Sequence, residues 1–342
     1  MNEIKLESQQ QKIAGYLEGY YVTHLIEIGN ELGIFQAIWE ETDGVTISRL
    51  ASKLSLHEPY LKIWCQTAYY KEILDIDGNG LVKLAPYFDT LLADSSGMAF
   101  IANRIKMAIK VHADRLRESP PYYYSGGYET EYSSDRSDIV AAATRSPHRA
   151  FVSFLSALAE EDRLKSKLSQ PFRYLDIGCG QGSFLIQMAK TFPKGRYFGI
   201  DPIKHGIEAG RREILENHLD HIITLESGAA ESMNFLDEFD IVGMVVTFHE
   251  IMSDARRKVM EQAYQSLKSS GLLLIVDFAY PSEIGDFRNK AFGPGIMDQF
   301  FETTLGVRHL CAEEQEAMFT EAGFKDFNRV SVKGIDFFTA GK

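Results

Sequence analysis

The chain has 342 residues, enough for two domains with a sizeable core, and its 45% apolar and 25% charged content is ordinary for a globular protein. Lys plus Arg number 36 against 48 Asp plus Glu, and a net charge of −12 with no basic run argues against nucleic-acid and anionic-membrane partners. Three scattered cysteines (Cys65, Cys179, Cys311) suggest neither a disulfide framework nor a metal cluster; residues 1–12 are polar and no apolar run approaches about 18 residues, so a cytoplasmic protein with no metal is expected.

Residues 13–38 place apolar side chains at helical spacing, punctuated by Gly29 and Gly33, so a long helix followed by a short one from Leu32 is predicted. Thr46 is a candidate N-cap for a helix over 46–54, a turn follows at 55–58, and a second helix covers 59–73. Residues 74–84 read as a hairpin around Gly78-Asn79-Gly80. Helix, turn, helix, hairpin is the order of a winged helix. Its second helix, however, offers two lysines, one glutamate and no arginine amid aromatic and apolar side chains. Phosphate contact needs several positive charges. Dimerisation through this region therefore fits better than DNA binding.

A connecting stretch, residues 106–165, separates this N-terminal domain (1–105) from a third region (166–342). Residues 98–116 are compatible with helix, and 119–134 form a turn-rich segment with five tyrosines. These tyrosines either cover core or wall a pocket, since tyrosine joins an apolar face to a hydroxyl; Tyr124 and Tyr128 are the candidates for substrate contact. Residues 138–168 are again helical, with a turn at 145–149 containing His148, a further candidate, and an apolar stripe of Phe151, Phe154, Leu155 and Leu158.

From residue 174 the sequence runs Tyr-Leu-Asp-Ile-Gly-Cys-Gly-Gln-Gly-Ser-Phe, an apolar run that ends in glycines 178, 180 and 182 before helical spacing resumes. Strand, glycine loop, helix is the reading. Arg196-Tyr-Phe-Gly-Ile-Asp201-Pro202 reads as a second strand ending in an acid placed to accept from ribose hydroxyls. A dinucleotide site wants G-x-G-x-x-G, and here the third glycine comes one residue early, with Ser183 in the dinucleotide position. The spacing Asp176-x-Gly178-x-Gly180-x-Gly182 instead resembles the first motif of class I S-adenosylmethionine-dependent methyltransferases.

Further strands are predicted at 222–228, 239–250 and 271–278, with a helix over 254–267. A helix over 312–322 stops at Gly323, and 327–332 with 335–339 form a final pair. Near-continuous apolar strands alternating with helices mean an α/β fold with a buried, mostly parallel sheet. Ligands of such sheets lie at the carboxyl ends of the strands, where Gly178, Asp201, Gly228 and His249 fall.

Winged helix, helical connector and methyltransferase sheet together resemble the small-molecule O-methyltransferases of the caffeate and carminomycin type. The resemblance implies a Rossmann-like seven-stranded sheet behind a mostly helical winged-helix domain, S-adenosylmethionine as cofactor, and a homodimer. It assigns the cofactor to Asp176, Gly178, Gly180, Gly182, Asp201, Pro202, Gly228, Ala229 and Thr247. Within Val246-Thr-Phe-His-Glu-Ile-Met-Ser-Asp254, His249 takes the place of the family's catalytic histidine, and Glu250 stands where the family often has Asp. Two departures stand out. Gly228-Ala229 replaces the usual Gly-Asp, so the adenine contact must come from elsewhere, Glu231 or backbone. Arg308 and His309 occupy a stretch where plant members carry a glutamate that assists the histidine.

The expected activity is methyl transfer to a small molecule at oxygen. A hydroxyl must lose its proton, which suits a histidine base. The runner-up is transfer to sulfur of a small anionic thioether or thiol acid, where a lone pair needs only positioning. On either reading, Arg308 without an obvious acidic partner is a candidate for an anionic acceptor group. A winged-helix regulator that keeps the sheet without chemistry is the alternative of another class.

Overall fold

The computed structural model describes residues 5–129, 133–159 and 162–342. Contacts divide the chain into two units, Met1–Asp114 with Ala142–Pro147, and Arg115–Ala141 with His148–Lys342. The connector expected over 106–165 is thus no separate body; it is shared between the two.

In the first unit, a helix over Leu6–Glu31 is followed, past Gly33 at φ +67°, by Ile34–Trp39. Thr46 caps Ile47–Leu54, its Oγ1 accepting from the Arg49 N–H at 3.3 Å. Glu58–Tyr70 packs next, and three short strands, β1 (Val45–Thr46), β2 (Leu74–Ile76) and β3 (Leu81–Leu84), pair antiparallel in the order β1-β3-β2. The hairpin turn is held by the Asp77 carboxylate, which accepts from the N–H groups of Asn79 and Leu81. Phe35, Leu50, Trp64, Leu74 and Val82 form the core of this unit.

The helix expected from 138 starts earlier and runs Ser134–Ser156. No turn opens at 145–149: Pro147 sits inside the helix, where it removes one backbone donor without ending the run. A short helix, Arg163–Leu168, follows, and residues 160–161 lie outside the described residues.

The second unit is built on seven strands: β4 (Phe172–Ile177), β5 (Gly195–Asp201), β6 (Ile223–Ser227), β7 (Phe239–Val245), β8 (Leu267–Phe278), β9 (Lys325–Val332) and β10 (Ile335–Gly341). Their order is β6-β5-β4-β7-β8-β10-β9. The first five are parallel to one another, and β10 pairs antiparallel with both β8 and β9. The continuous apolar strands split by alternation. Tyr174, Ile241, Leu272 and Leu274 pack into one core cluster, while Leu175, Val242, Met244, Leu273 and Ile275 pack into the other. Strand order reverses at β4, so β4, β5 and β7 deliver their carboxyl ends to one crevice. Among the described residues, no helix is long and apolar enough to cross a membrane.

Candidate active site

The glycine loop leaves β4 in a conformation few side chains adopt. Gly178 has φ +74°, and a Cβ there would lie 2.1 Å from the Thr247 methyl. Thr247, buried at the end of β7, donates from Oγ1 to the Gly178 carbonyl at 3.2 Å, so loop and strand end are fitted to one another. At Gly180, φ +53°, nothing lies within 4 Å of the Cβ position, which leaves the backbone open to a ligand.

Asp201 ends β5 almost wholly buried. Its carboxylate accepts from the Gly180 N–H at 2.9 Å and from the Ile203 N–H at 2.8 Å. Burial raises its pKa above the usual carboxylate range, and those two N–H groups hold it back. Asp176, one residue before the end of β4, is buried too, and its Oδ1 has no hydrogen-bond partner among the described residues. Burial first, and then the Asp201 charge, pushes its carboxyl well up. Pro202 is exposed beside Asp201. Gly228 donates its N–H to the Asp201 carbonyl at 3.0 Å, and Ala229 precedes a short turn, Ala230–Ser232, that carries the exposed Glu231.

His249 lies in the turn Phe248–Glu250 just beyond β7, buried, with Nδ1 2.6 Å from Asp277 Oδ1. Asp277, near the end of the neighbouring β8, also accepts from the backbone N–H groups of His249 and Phe278. The carboxylate therefore fixes both ring and turn. Arg256, fully buried, donates to the carbonyls of Ile251, His249 and Arg308 and ties the turn down from behind.

The far side of the imidazole faces the helix Gly293–Glu302 and the loop after it. His249 Nε2 is 3.7 Å from Asp298 Oδ2, which in turn is 2.9 Å from His309 Nε2. The His249 and His309 rings stack at 4.3 Å. Glu302 is buried, and its Oε2 has no hydrogen-bond partner among the described residues. Burial opposes a charged imidazole, but the Asp277 charge and hydrogen bond, with Glu250 and Glu302 behind them, outweigh it and push His249 up to about 10. Burial and then the nearby Glu250 push Glu302 up to about 8. Desolvation by the surrounding protein pushes Glu250 up to about 7 against the pull of His249.

The remaining candidates fall elsewhere. Arg308 is more than half exposed and paired with Glu314 at 3.0 Å. It is neither buried nor lacking an acidic partner, because the turn into the helix Ala312–Glu321 brings Glu314 back to it. Tyr124 is 94% exposed. Tyr128 covers Gly306, where a Cβ would lie 2.6 Å from its ring, and the Glu129 N–H donates to the Thr304 carbonyl at 2.9 Å. That part of the tyrosine segment backs the turn after Glu302; Tyr132 lies outside the described residues. His148 is buried with Nδ1 2.6 Å from Ser183 Oγ, at the start of the helix behind the glycine loop rather than beside His249.

The sequence singled out His309 only as a departure from the family pattern, and it did not single out Asp277, Asp298 or Glu302 as site residues. Asp277 had a readable cue, an acid ending an apolar strand beside the histidine strand. Asp298 and Glu302 follow from a helix that starts at Gly293-Pro294, proline near the start being a helix-opening cue.

Residues 175–271 match the family described as a methyltransferase domain. A ribosomal RNA small subunit methyltransferase C of Actinobacillus pleuropneumoniae is 32% identical over 145 residues, which cover 41% of this chain and 40% of that protein. Human N-acetylserotonin methyltransferase, solved in complex with S-adenosylmethionine, superposes with a TM-score of 0.77 over 100% of this chain and 99% of its own, at 15% identity. The chain has the fold of the class I methyltransferases. An O-methyltransferase family protein from Burkholderia thailandensis overlays equally well, at a TM-score of 0.77 over 99% of both chains and 13% identity.

The cofactor of this methyltransferase fold, S-adenosylmethionine, is cationic at sulfur and carries a ribose diol. The residues present fit it. Gly180 leaves backbone open, Asp201 offers a buried carboxylate at the end of β5, and the orphaned Asp176 oxygen suits a cation. The curated relative is matched over only 40% of its length.

Proposed function

We propose that this chain transfers a methyl group from S-adenosylmethionine to a small-molecule acceptor, at oxygen. The observation that carries the reading is the buried His249–Asp277 pair, 2.6 Å apart at the ends of β7 and β8, on the same sheet edge as the glycine loop and Asp201. S-adenosylmethionine supplies an electrophilic methyl whose leaving group is a neutral thioether. What the chain's own residues must do is hold the acceptor in place, exclude water and take a proton. Asp201 is suited to the ribose hydroxyls, Gly178, Gly180 and Gly182 to close backbone approach, and Asp176 to the positive end. His249 takes the acceptor proton at Nε2 while Asp277 holds Nδ1. The net charge of −12 supports a small acceptor over RNA, the substrate class in the name of the Actinobacillus relative. Purified protein incubated with S-adenosylmethionine and panels of phenols, thiols and thioether acids, with S-adenosylhomocysteine as readout, tests this; no product with any phenol or alcohol would defeat the oxygen assignment.

One observation favours transfer to sulfur as a second reading. An imidazole pushed up to about 10 holds its proton at neutral pH, and a thioether lone pair needs no base. The anionic acceptor loses its support on either reading, since Arg308 is paired with Glu314 and acids crowd His249.

The N-terminal unit fits a winged-helix dimerisation domain, and a homodimer through it is part of the proposal. Ile13, Tyr16, Leu17, Tyr20 and Tyr21 on the first helix, with Tyr60, Ile63 and Tyr70, are all more than half exposed. The five on the first helix share one face by their spacing, and an exposed apolar face of this kind suits a partner. Light scattering at micromolar concentration should return twice the chain mass of 38.6 kDa; a monomer mass rejects the dimer.

A further inference from the structure

We propose that the chain binds one divalent transition cation of the zinc class through His249 Nε2, Asp298 and Glu302, a site its scattered sequence positions gave no reason to expect. One ligand atom from each of these residues lies within 4.8 Å of the others, with His249 and Glu302 buried and Asp298 half-buried. Tetrahedral zinc with bonds of about 2.0–2.1 Å keeps its donors about 3.3 Å apart. His249 Nε2 and Asp298 Oδ2 are already at 3.7 Å, so a small contraction suffices.

The donor chemistry points the same way. Asp277 holds the other ring nitrogen at 2.6 Å, which leaves Nε2 as the atom turned toward Asp298, where a bound metal would displace its proton. A carboxylate behind a histidine is the usual support of a metal-ligating imidazole. Glu302 brings the independent observation: a buried carboxylate whose Oε2 has no hydrogen-bond partner among the described residues. An uncompensated buried acid is costly, and a cation satisfies it. A second grouping, His249 with Asp277 and His309, fits less well, because Asp277 is already used by two backbone N–H groups and by His249 Nδ1, whereas Asp298 meets His309 Nε2 at 2.9 Å and would exchange that contact for the metal. Three protein ligands leave a coordination position open, as in zinc sites that admit water or substrate. Where the chain transfers methyl groups to oxygen, metal and acceptor proton compete for Nε2, so zinc inhibits at the concentration at which it binds.

The test uses the full chain, stripped with a chelator, and needs no turnover, so its outcome is independent of methyl transfer. Calorimetric titration with zinc chloride should give one site per chain with a dissociation constant of micromolar or below. Cobalt(II) in place of zinc should produce the strong visible bands of a four- or five-coordinate ion. Glu302→Gln and Asp298→Asn, both of unchanged shape, should each weaken zinc at least tenfold, and the exposed Glu283→Gln should not. Absence of zinc binding below 100 μM in the unaltered chain, or undiminished binding in both site variants, overturns the proposal.

Discussion

At the glycine loop, neighbouring strands are joined through the loop's main-chain groups: Gly178 and Cys179 donate to the Ile200 carbonyl, Gly180 donates to the Asp201 carboxylate, and Thr247 Oγ1 donates to the Gly178 carbonyl. At the other end of the crevice, His249, Asp277, Asp298, Glu302 and His309 come from β7, β8 and the segment after it, and meet mainly through side chains. The first arrangement tolerates little substitution and holds a ligand through main-chain shape. The second gathers ionisable side chains, so it responds to pH, to cations and to single changes of side chain. On the proposed function, cofactor affinity belongs to the first end and reaction rate to the second.

His249→Gln should separate the two ends most sharply. Loss of the base should lower transfer to oxygen by about 10²–10⁴-fold while S-adenosylmethionine affinity stays as it was. Transfer to a thioether should fall far less. An equal loss with both acceptor classes would remove His249 from proton transfer and leave it a positioning role.

The next effect is on pH dependence. His249 is pushed up to about 10, so the neutral imidazole grows about tenfold per unit between pH 7 and 9, and kcat/KM for an oxygen acceptor should climb with unit slope. Stability moves the other way. A histidine raised in the folded state contributes fully below its ordinary value near 6.5 and loses that contribution as pH rises through about 10. A rate profile that levels off near pH 6.5 would show that Asp277 does not hold the proton on His249.

Arg308→Ala should have the smallest effect. Its side chain is over half exposed and paired with Glu314, so KM for the best acceptor should change by less than about twofold. A steep rise confined to acidic acceptors would return Arg308 to the pocket.

The cofactor end was legible because its requirements are local. Glycines at 178, 180 and 182 and an acid at 201 mark a strand-end loop by spacing alone, and the succession of strands along the chain follows from their apolar runs. The acceptor end was legible only at His249. Asp298 and Glu302 lie some 50 residues on, in a helix whose ten residues include Gly293, Pro294 and Gly295, poor helix formers that hide its periodicity. Arg308 misled for a related reason: Glu314 reaches it only after the chain turns into the next helix. Side chains that meet across tertiary folds leave no spacing to read.

Calorimetric titration of S-adenosylmethionine into the unaltered chain and into Asp201→Ala tests the central claim most directly. The account predicts one site per chain, weakened by about 2–4 kcal/mol in the variant, through loss of a charge-assisted hydrogen-bond pair. No binding to the unaltered chain, or equal affinity in the two, would contradict it.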